Sequence, residues 1–277
     1  MQDNPKNGFV YAASGEEYSQ LALISARSLR EFCPLAQIDF FTDCDVGPNH
    51  PFDRVVPLTR SWFRPKFEAL PESRFDRTVY IDADAMVVAD ISDLFVVLEH
   101  HEFCAAPVIR NNRPDNCRIW KTKLPLSVPR YNCGLIGIQN TPKVVQFMRQ
   151  AEDIMIAENL DHDQSMMRER LFQSDIRVVT LPYEYNCNEI TYIDLLSNEF
   201  SAPRVLHFAE IRDHPSHGAT AKQLLGKVLG PERMAFLEKH RQNDASQGAT
   251  ELVEMPSKCT LRMHENWGKG GQSSASA

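Results

Sequence analysis

The chain has no run of about eighteen apolar residues, no Cys-x-x-Cys pair, no sustained stripe of lysine and arginine and no internal repeat. The first absence removes the signature of a membrane-spanning helix, so no membrane span is expected. The missing basic stripe, with a net charge of −7, leaves no electrostatic footprint for nucleic acid or anionic lipid. An anionic ligand therefore needs local help from a metal or a few basic side chains. The cysteines number 7, an odd count spread far apart, which fits reduced thiols rather than a disulfide framework or a zinc site. The segment Met1 to Asn7 is polar with no apolar core, so no secretory signal is visible and the expected compartment is cytoplasmic.

What the chain does have is 277 residues of ordinary globular composition, enough for one large α/β core. Phe9 to Ser14 reads as a buried first strand, followed by Gly15 and a helix-period stretch from Tyr18 through Leu29. Gln37 to Thr42, Thr78 to Asp82, Phe103 to Val108 and Leu135 to Ile138 read as further strands, and Lys66, Phe67 and Leu70 give the Trp62–Leu70 segment helical spacing. Thr141-Pro142 opens a predicted helix over Lys143 to Asn159, because threonine caps and proline suits the first helical position. Another helix is expected from Asp163, and Arg177 to Leu181 and Arg204 to Phe208 are the expected closing strands of a largely parallel or mixed sheet. Residues 1–241 are read as a single domain. Residues 242–277 are read as a polar, disordered tail, in which Leu252, Met255, Leu261 and Trp267 are the docking candidates.

The most informative stretch is Thr78-Val79-Tyr80-Ile81-Asp82-Ala83-Asp84-Ala85-Met86-Val87-Val88. Two carboxylates one residue apart end an apolar strand, where the backbone turns and both can converge on one cation. Burying such a pair with no cation is costly. A bare Asp-x-Asp is more often a solvated turn, and the flanking sequence is what separates the two cases.

In order along residues 8 to 215 come Phe9-Val10 with Ser14 and Tyr18, then Ser28-Leu29, Phe41-Thr42-Asp43, Lys66, Tyr80-Ile81-Asp82-Ala83-Asp84, Asp90-Ile91, Leu94-Phe95 and Tyr131-Asn132-Cys133-Gly134. Asp163-Gln164, Leu181-Pro182, Tyr185-Asn186 and His207-Phe208 follow. This ordered set resembles glycogenin and the bacterial galactosyl- and glucosyltransferases of the same family. The resemblance implies an α/β GT-A fold and a retaining, metal-dependent hexosyltransferase that uses a UDP-sugar donor and an unknown glycan, protein or small-molecule acceptor.

The resemblance also implies roles. Asp82, Asp84 and His207 would hold one cation, and this ligand set suits Mn²⁺, with Mg²⁺ as the poorer partner for imidazole. Backbone groups of Ala12 to Ser14 would meet the edge of a uracil ring and Tyr18 its face. Lys66 would reach the donor phosphate or sugar, Asn132 and Gly134 the sugar hydroxyls, and Asp163 and Gln164 the anomeric carbon. Taken singly, Tyr18 reads equally as a packing aromatic, His207 as a core histidine and Lys66 as a surface lysine. After His207 the family carries a glycine and a lysine on the diphosphate loop, whereas this chain has Glu210 and Asp213. A carboxylate repels a diphosphate, so Arg212 or His214 is the expected replacement cation. The acceptor is expected near the basic loop Ile109 to Val128, unless that loop is only a solvated, mobile lid. Two other readings stand beside this one. One is a nucleotide-sugar-binding relative without transfer activity. The other is a haloacid-dehalogenase-type phosphatase, whose Asp-x-Asp strand is similar but which places it on the opening strand.

Overall fold

The computed structural model describes residues 6–60, 62–214 and 217–247. The chain opens with β1 (Asn7–Ala13), α1 (Glu16–Phe32) and β2 (Ile38–Thr42), and both strands are buried along almost their whole length. Strands covered on both faces carry continuous apolar runs, which is why these two were legible in the sequence. Next come β3 (Arg54–Pro57), a short helix α2 (Lys66–Ala69), β4 (Arg77–Ile81), β5 (Ala85–Val87) and α3 (Leu94–His100). The helix expected over Trp62–Leu70 is thus confined to its second half, because Pro65 fixes the backbone ahead of it.

The second half holds β6 (Phe103–Pro107), β7 (Tyr131–Gln139), α4 (Pro142–Ala157), α5 (Gln164–Gln173), β8 (Val178–Thr180), α6 (Ile190–Ile193), β9 (Val205–His207) and α7 (Ala221–Asn243). Thr141 caps α4 as its sequence predicts, its hydroxyl oxygen accepting from the Val144 N–H at 3.3 Å, with Pro142 in the first turn. The last helix begins with a reciprocal cap between Thr220 and Gln223. It kinks at Gly230, whose φ of 76° precedes Pro231 and breaks the hydrogen-bond ladder. Ala245–Gln247 form one further turn. The tail beyond residue 247, with the four apolar residues singled out there, lies outside the described residues.

Seven strands form one sheet in the order β3-β2-β1-β4-β7-β6-β8. Neighbours are parallel except at β7, which runs antiparallel to both β4 and β6, so the sheet is mixed and mainly parallel. One face packs Phe9, Tyr11, Phe40, Val79 and Ile81 in a core shared with α1 and α7. The other packs Val10, Phe41, Tyr80, Phe103 and Ile136 against α2, α4 and α5. Each fully buried side chain of this size contributes about 1.5–3 kcal/mol.

One expectation fails. Arg204 to Phe208 does not close the main sheet. Its strand, β9, pairs antiparallel with β5 in a separate two-stranded ribbon, in the register Ala85↔His207, Met86↔Leu206 and Val87↔Val205. Three residues on each side carry too little periodicity to reveal a partner, so the pairing is set by tertiary packing alone.

Candidate active site

The parallel strands β1 and β4 end at the same edge of the sheet. Because β7 runs the other way, its first residues lie at that edge too, with Leu135 opposite Ile81. The chain leaves β4 into a turn in which the Ala85 N–H donates to Asp82 O at 3.1 Å, while the Asp82 N–H donates to Gly134 O at 2.7 Å. Asp82 and Asp84 therefore sit at the carboxyl end of the strands, where open α/β sheets place ligands. A cavity of about 640 Å³ opens there, within the range of roughly 300–1,000 Å³ usual for ligand sites.

The ribbon of β5 and β9 carries His207 to this turn. Its Nε2 lies 3.2 Å from Asp84 Oδ1 and 3.9 Å from Asp82 Oδ2, and one ligand atom from each of the three residues falls within 4.8 Å of the others. The opposite ring nitrogen, Nδ1, is 3.0 Å from Asn186 Oδ1. Asn186 in turn donates from Nδ2 to Asn132 Oδ1 at 3.0 Å, and the same oxygen accepts from the Gly134 N–H at 2.8 Å. This chain of bonds fixes both amides. Nδ1 of His207 must carry a proton, so the lone pair of the neutral ring lies on Nε2, facing the carboxylates. Asn132, its oxygen engaged on the inner side, presents its NH₂ to the cavity.

Gly134 has its own reason to be glycine. A Cβ at this position would fall far inside van der Waals contact of His207 Cε1 and Nδ1. The imidazole occupies that space.

Burial works to lower the pKa of His207, but the charge and hydrogen bond of Asp84, with the charge of Asp82, outweigh it and hold the imidazole above 6.5. Asp84 shows the reverse balance: burial raises it, while His207 and Arg212 pull it down to about 2. Lys66 is buried, with its side chain 4% exposed, and lies 3.0 Å from Asp82 Oδ1 and 3.7 Å from Asp163 Oδ2. It also donates to Cys133 O at 2.7 Å. Burial opposes its charge, but the two carboxylates prevail and raise its pKa.

At the β1 end, Ala12, Ala13, Ser14 and Tyr18 line the cavity. The Ser14 hydroxyl is directed away to Asp43 Oδ2 at 2.6 Å, which leaves its backbone as the group that faces the cavity. Tyr18, in the first turn of α1, is 43% exposed. Arg212, from the turn after β9, places Nε 3.3 Å from Asp84 Oδ2 and 3.2 Å from Ala209 O, and, against burial, the charge of Asp84 raises its pKa. Of the two replacement cations expected from the sequence, Arg212 lines the cavity and His214 does not. Glu210 and Asp213, the residues expected to repel a diphosphate, do not line it either.

Asp163 and Gln164 stand at the start of α5 on the cavity wall. Asp163 Oδ2 is buried and accepts no hydrogen bond among the described residues. The sequence reading gave no site role to Asn186, Trp62, Phe63, Arg64, His162 or Asn188, all but the first of which line the cavity. Asn186 was legible only as a neighbour of Tyr185. The Trp62–Arg64 run had been absorbed into a helix that does not form there.

In the basic loop Ile109 to Val128, three cations pair with carboxylates of the chain itself. Arg110 pairs with Glu189 at 2.7 Å, Arg118 with Asp161 at 3.5 Å and Lys121 with Glu158 at 2.6 Å. Glu169 also accepts from the Lys121 and Thr122 N–H groups at 3.0 and 2.8 Å. The chain's own carboxylates hold these cations.

No protein-family model matches the chain, and no curated protein matches it by sequence. Solved structures do. It is similar to the glycosyltransferase GlyE of Streptococcus pneumoniae TIGR4, at 18% identity and a TM-score of 0.54, over 84% of this chain and 63% of that one. It is similar to the galactosyltransferase LgtC, solved with donor and acceptor sugar analogues, at 15% identity and a TM-score of 0.54, over 92% of this chain and 99% of that one. The fold is GT-A. Further similarity, to the bifunctional glycosyltransferase WbbM, covers 87% of this chain and 52% of that one at 16% identity and a TM-score of 0.51. The chain thus spans under two thirds of GlyE and about half of WbbM, but nearly all of LgtC. In this GT-A domain no helix among the described residues is long and apolar enough to cross a membrane. The six cysteines among them are all free.

Proposed function

We propose that the protein is a glycosyltransferase that moves a hexose from a UDP-sugar to an acceptor hydroxyl with retention at the anomeric carbon. The observation that carries this reading is the convergence of Asp82, Asp84 and His207 from two separate strand ends beside Lys66 and Asp163. Two carboxylates and an imidazole whose outer nitrogen is held by Asn186 fit a divalent cation that accepts both oxygen and nitrogen, Mn²⁺ rather than Mg²⁺. When bound, such a cation supplies Lewis-acid stabilisation of the departing diphosphate, on the order of several kcal/mol.

The chain's own residues do the rest. Ala12 to Ser14 offer backbone groups, and Tyr18 an exposed ring, to a pyrimidine. Arg212 takes the place of the missing loop lysine toward the phosphates, and Lys66 neutralises Asp82 from within. The Asn132 amide orients a sugar hydroxyl, Gly134 leaves the room that His207 needs, and Asp163 with Gln164 stabilises positive charge at the anomeric carbon. The acceptor oxygen bonds to that carbon as the bond to UDP oxygen breaks, and the acceptor proton passes to the departing phosphate.

Incubation with UDP-glucose or UDP-galactose and Mn²⁺, with UDP release as the readout, tests the reading. Release that is lost in Asp84→Ala supports it. Release unchanged in that variant overturns the metal site, and tight UDP binding with neither hydrolysis nor transfer identifies a binding protein instead.

A further inference from the structure

The two acids of the Asp-x-Asp turn are held by different groups. Asp84 faces His207 and Arg212, whereas Asp82 is held by Tyr80 and Lys66. Alternate residues of a strand share a face, so Tyr80 packs on the side of β4 that meets α2, with the Asp82 carboxylate next along that side, while Val79 and Ile81 fall on the other. A tyrosine two residues before a carboxylate spans the gap with its ring and meets the acid with its hydroxyl.

Tyr80 is 2% exposed, pairs across the sheet with Ile136 of β7 and donates from its hydroxyl to Asp82 Oδ1 at 2.6 Å. Lys66 Nζ stands 3.0 Å from the same oxygen and 3.2 Å from Oδ2, and it lies 5.2 Å from the centroid of the Tyr80 ring. Packing in this core needs only the ring. A buried hydroxyl needs an acceptor as well, and here the Asp82 carboxylate supplies it.

A phenol is protonated near neutral pH, so toward a carboxylate it can only donate, and a bond of this kind at about 2.5–2.7 Å is roughly twice as strong as one between neutral partners. With Tyr80 and Lys66 both on Oδ1, that oxygen is committed to donors within the protein. Oδ2 is the oxygen that lies toward the imidazole, 3.9 Å from His207 Nε2. We propose that Tyr80 is a positioning residue of the cation site: its hydroxyl pins Oδ1 and turns Oδ2 toward His207, so that Asp82 offers a cation one oxygen in a fixed direction. This inference rests on the transferase reading above only in taking a divalent cation to occupy the site.

Titration of Mn²⁺ into the full chain by electron paramagnetic resonance, with UDP present, compares the parent with Tyr80→Phe and Ile136→Val. The first variant keeps the ring and deletes the hydroxyl. The second removes only a methyl group from the same core, across the sheet from Tyr80. Expected is a Mn²⁺ dissociation constant raised about tenfold in Tyr80→Phe, the low end for losing a group that orients a metal ligand, because Lys66 still holds Oδ1. In Ile136→Val it stays within about twofold of the parent, although both variants melt at a lower temperature without metal. Far-ultraviolet circular dichroism matching the parent confirms both as folded. A tyrosine that serves packing alone lowers the melting temperature and leaves the Mn²⁺ affinity of the folded protein unchanged. Equal affinity in parent and Tyr80→Phe, or an equal loss in Ile136→Val, therefore overturns the assignment. No Mn²⁺ binding by the parent condemns the cation site of the transferase reading and this role with it, whereas binding by the parent with no loss in Tyr80→Phe condemns the role of Tyr80 alone.

Discussion

Substituting Asn186 by leucine tests whether the buried amide sets the metal ligand. Asn186 is fully buried, accepts from His207 Nδ1 at 3.0 Å and donates to Asn132 Oδ1 at 3.0 Å. Leucine has similar bulk, so the ring keeps its packing and loses only its acceptor. The neutral imidazole can then shift its proton to Nε2, where Asp84 Oδ1 stands 3.2 Å away, and the lone pair no longer faces the site. Loss of the partner that orients a ligating histidine lowers metal affinity about 10- to 100-fold, or roughly 1.4–2.8 kcal/mol. Stability falls as well, by about 1–3 kcal/mol, because the buried Nδ1 of His207 and Oδ1 of Asn132 each lose a hydrogen-bond partner. Asn186→Asp keeps the acceptor and gives up the bond to Asn132, so its metal affinity stays near that of the parent while the sugar-facing amide is freed. Titration of Mn²⁺ by electron paramagnetic resonance, with UDP present, reads the affinity directly. Equal Mn²⁺ affinity in the parent and a folded Asn186→Leu protein would refute the idea that this amide orients His207.

Gly134→Ala places a methyl group in the space of the His207 ring, so Mn²⁺ affinity drops at least about tenfold and the melting temperature falls; calorimetry measures both. Arg212→Ala weakens UDP binding by roughly tenfold or less, since the side chain is 44% exposed, while Mn²⁺ binding without nucleotide is undiminished because a cation beside Asp84 has been removed. In the metal-free protein, the raised pKa of His207 contributes stability that is fully present below 6.5 and is lost as pH rises through its folded-state value. The lowered pKa of Asp84 contributes stability present above 3.8 and lost as pH falls toward about 2. Thermal melts between about pH 6 and about pH 9 should therefore show a decline without metal, which saturating Mn²⁺ reduces because it binds the neutral ring. A metal-free melting temperature that rises across this interval would contradict the Asp84–His207 pairing.

Much of this architecture was legible in the residues, for physical reasons that differ between elements. β1, β2 and β4 are continuous apolar runs because both their faces are covered, and the start of α4 announced itself through Thr141-Pro142. The Asp-x-Asp turn was legible because it ends such a run. The ribbon that brings His207 to it was not, since Ala85–Val87 and Val205–His207 are three residues each and recognise one another only in the folded chain. Lys66 was placed at the site by the resemblance alone, since taken singly it reads as a surface lysine; its burial between Asp82 and Asp163 was invisible until α2, β4 and α5 meet. Trp62 to Arg64 were hidden because helical spacing suggested packing, whereas Pro65 starts the helix only after them.

The β5–β9 ribbon joins residues roughly 120 positions apart. Competence to hold a cation therefore arrives late, after the long-range closure that slows folding in such topologies. A cation held between the turn ahead of β5 and His207 of β9 would act as a removable staple across that loop, adding about 2.7 kcal/mol at a hundredfold excess over its dissociation constant. Metal occupancy would thus double as a certificate that the last strand has docked.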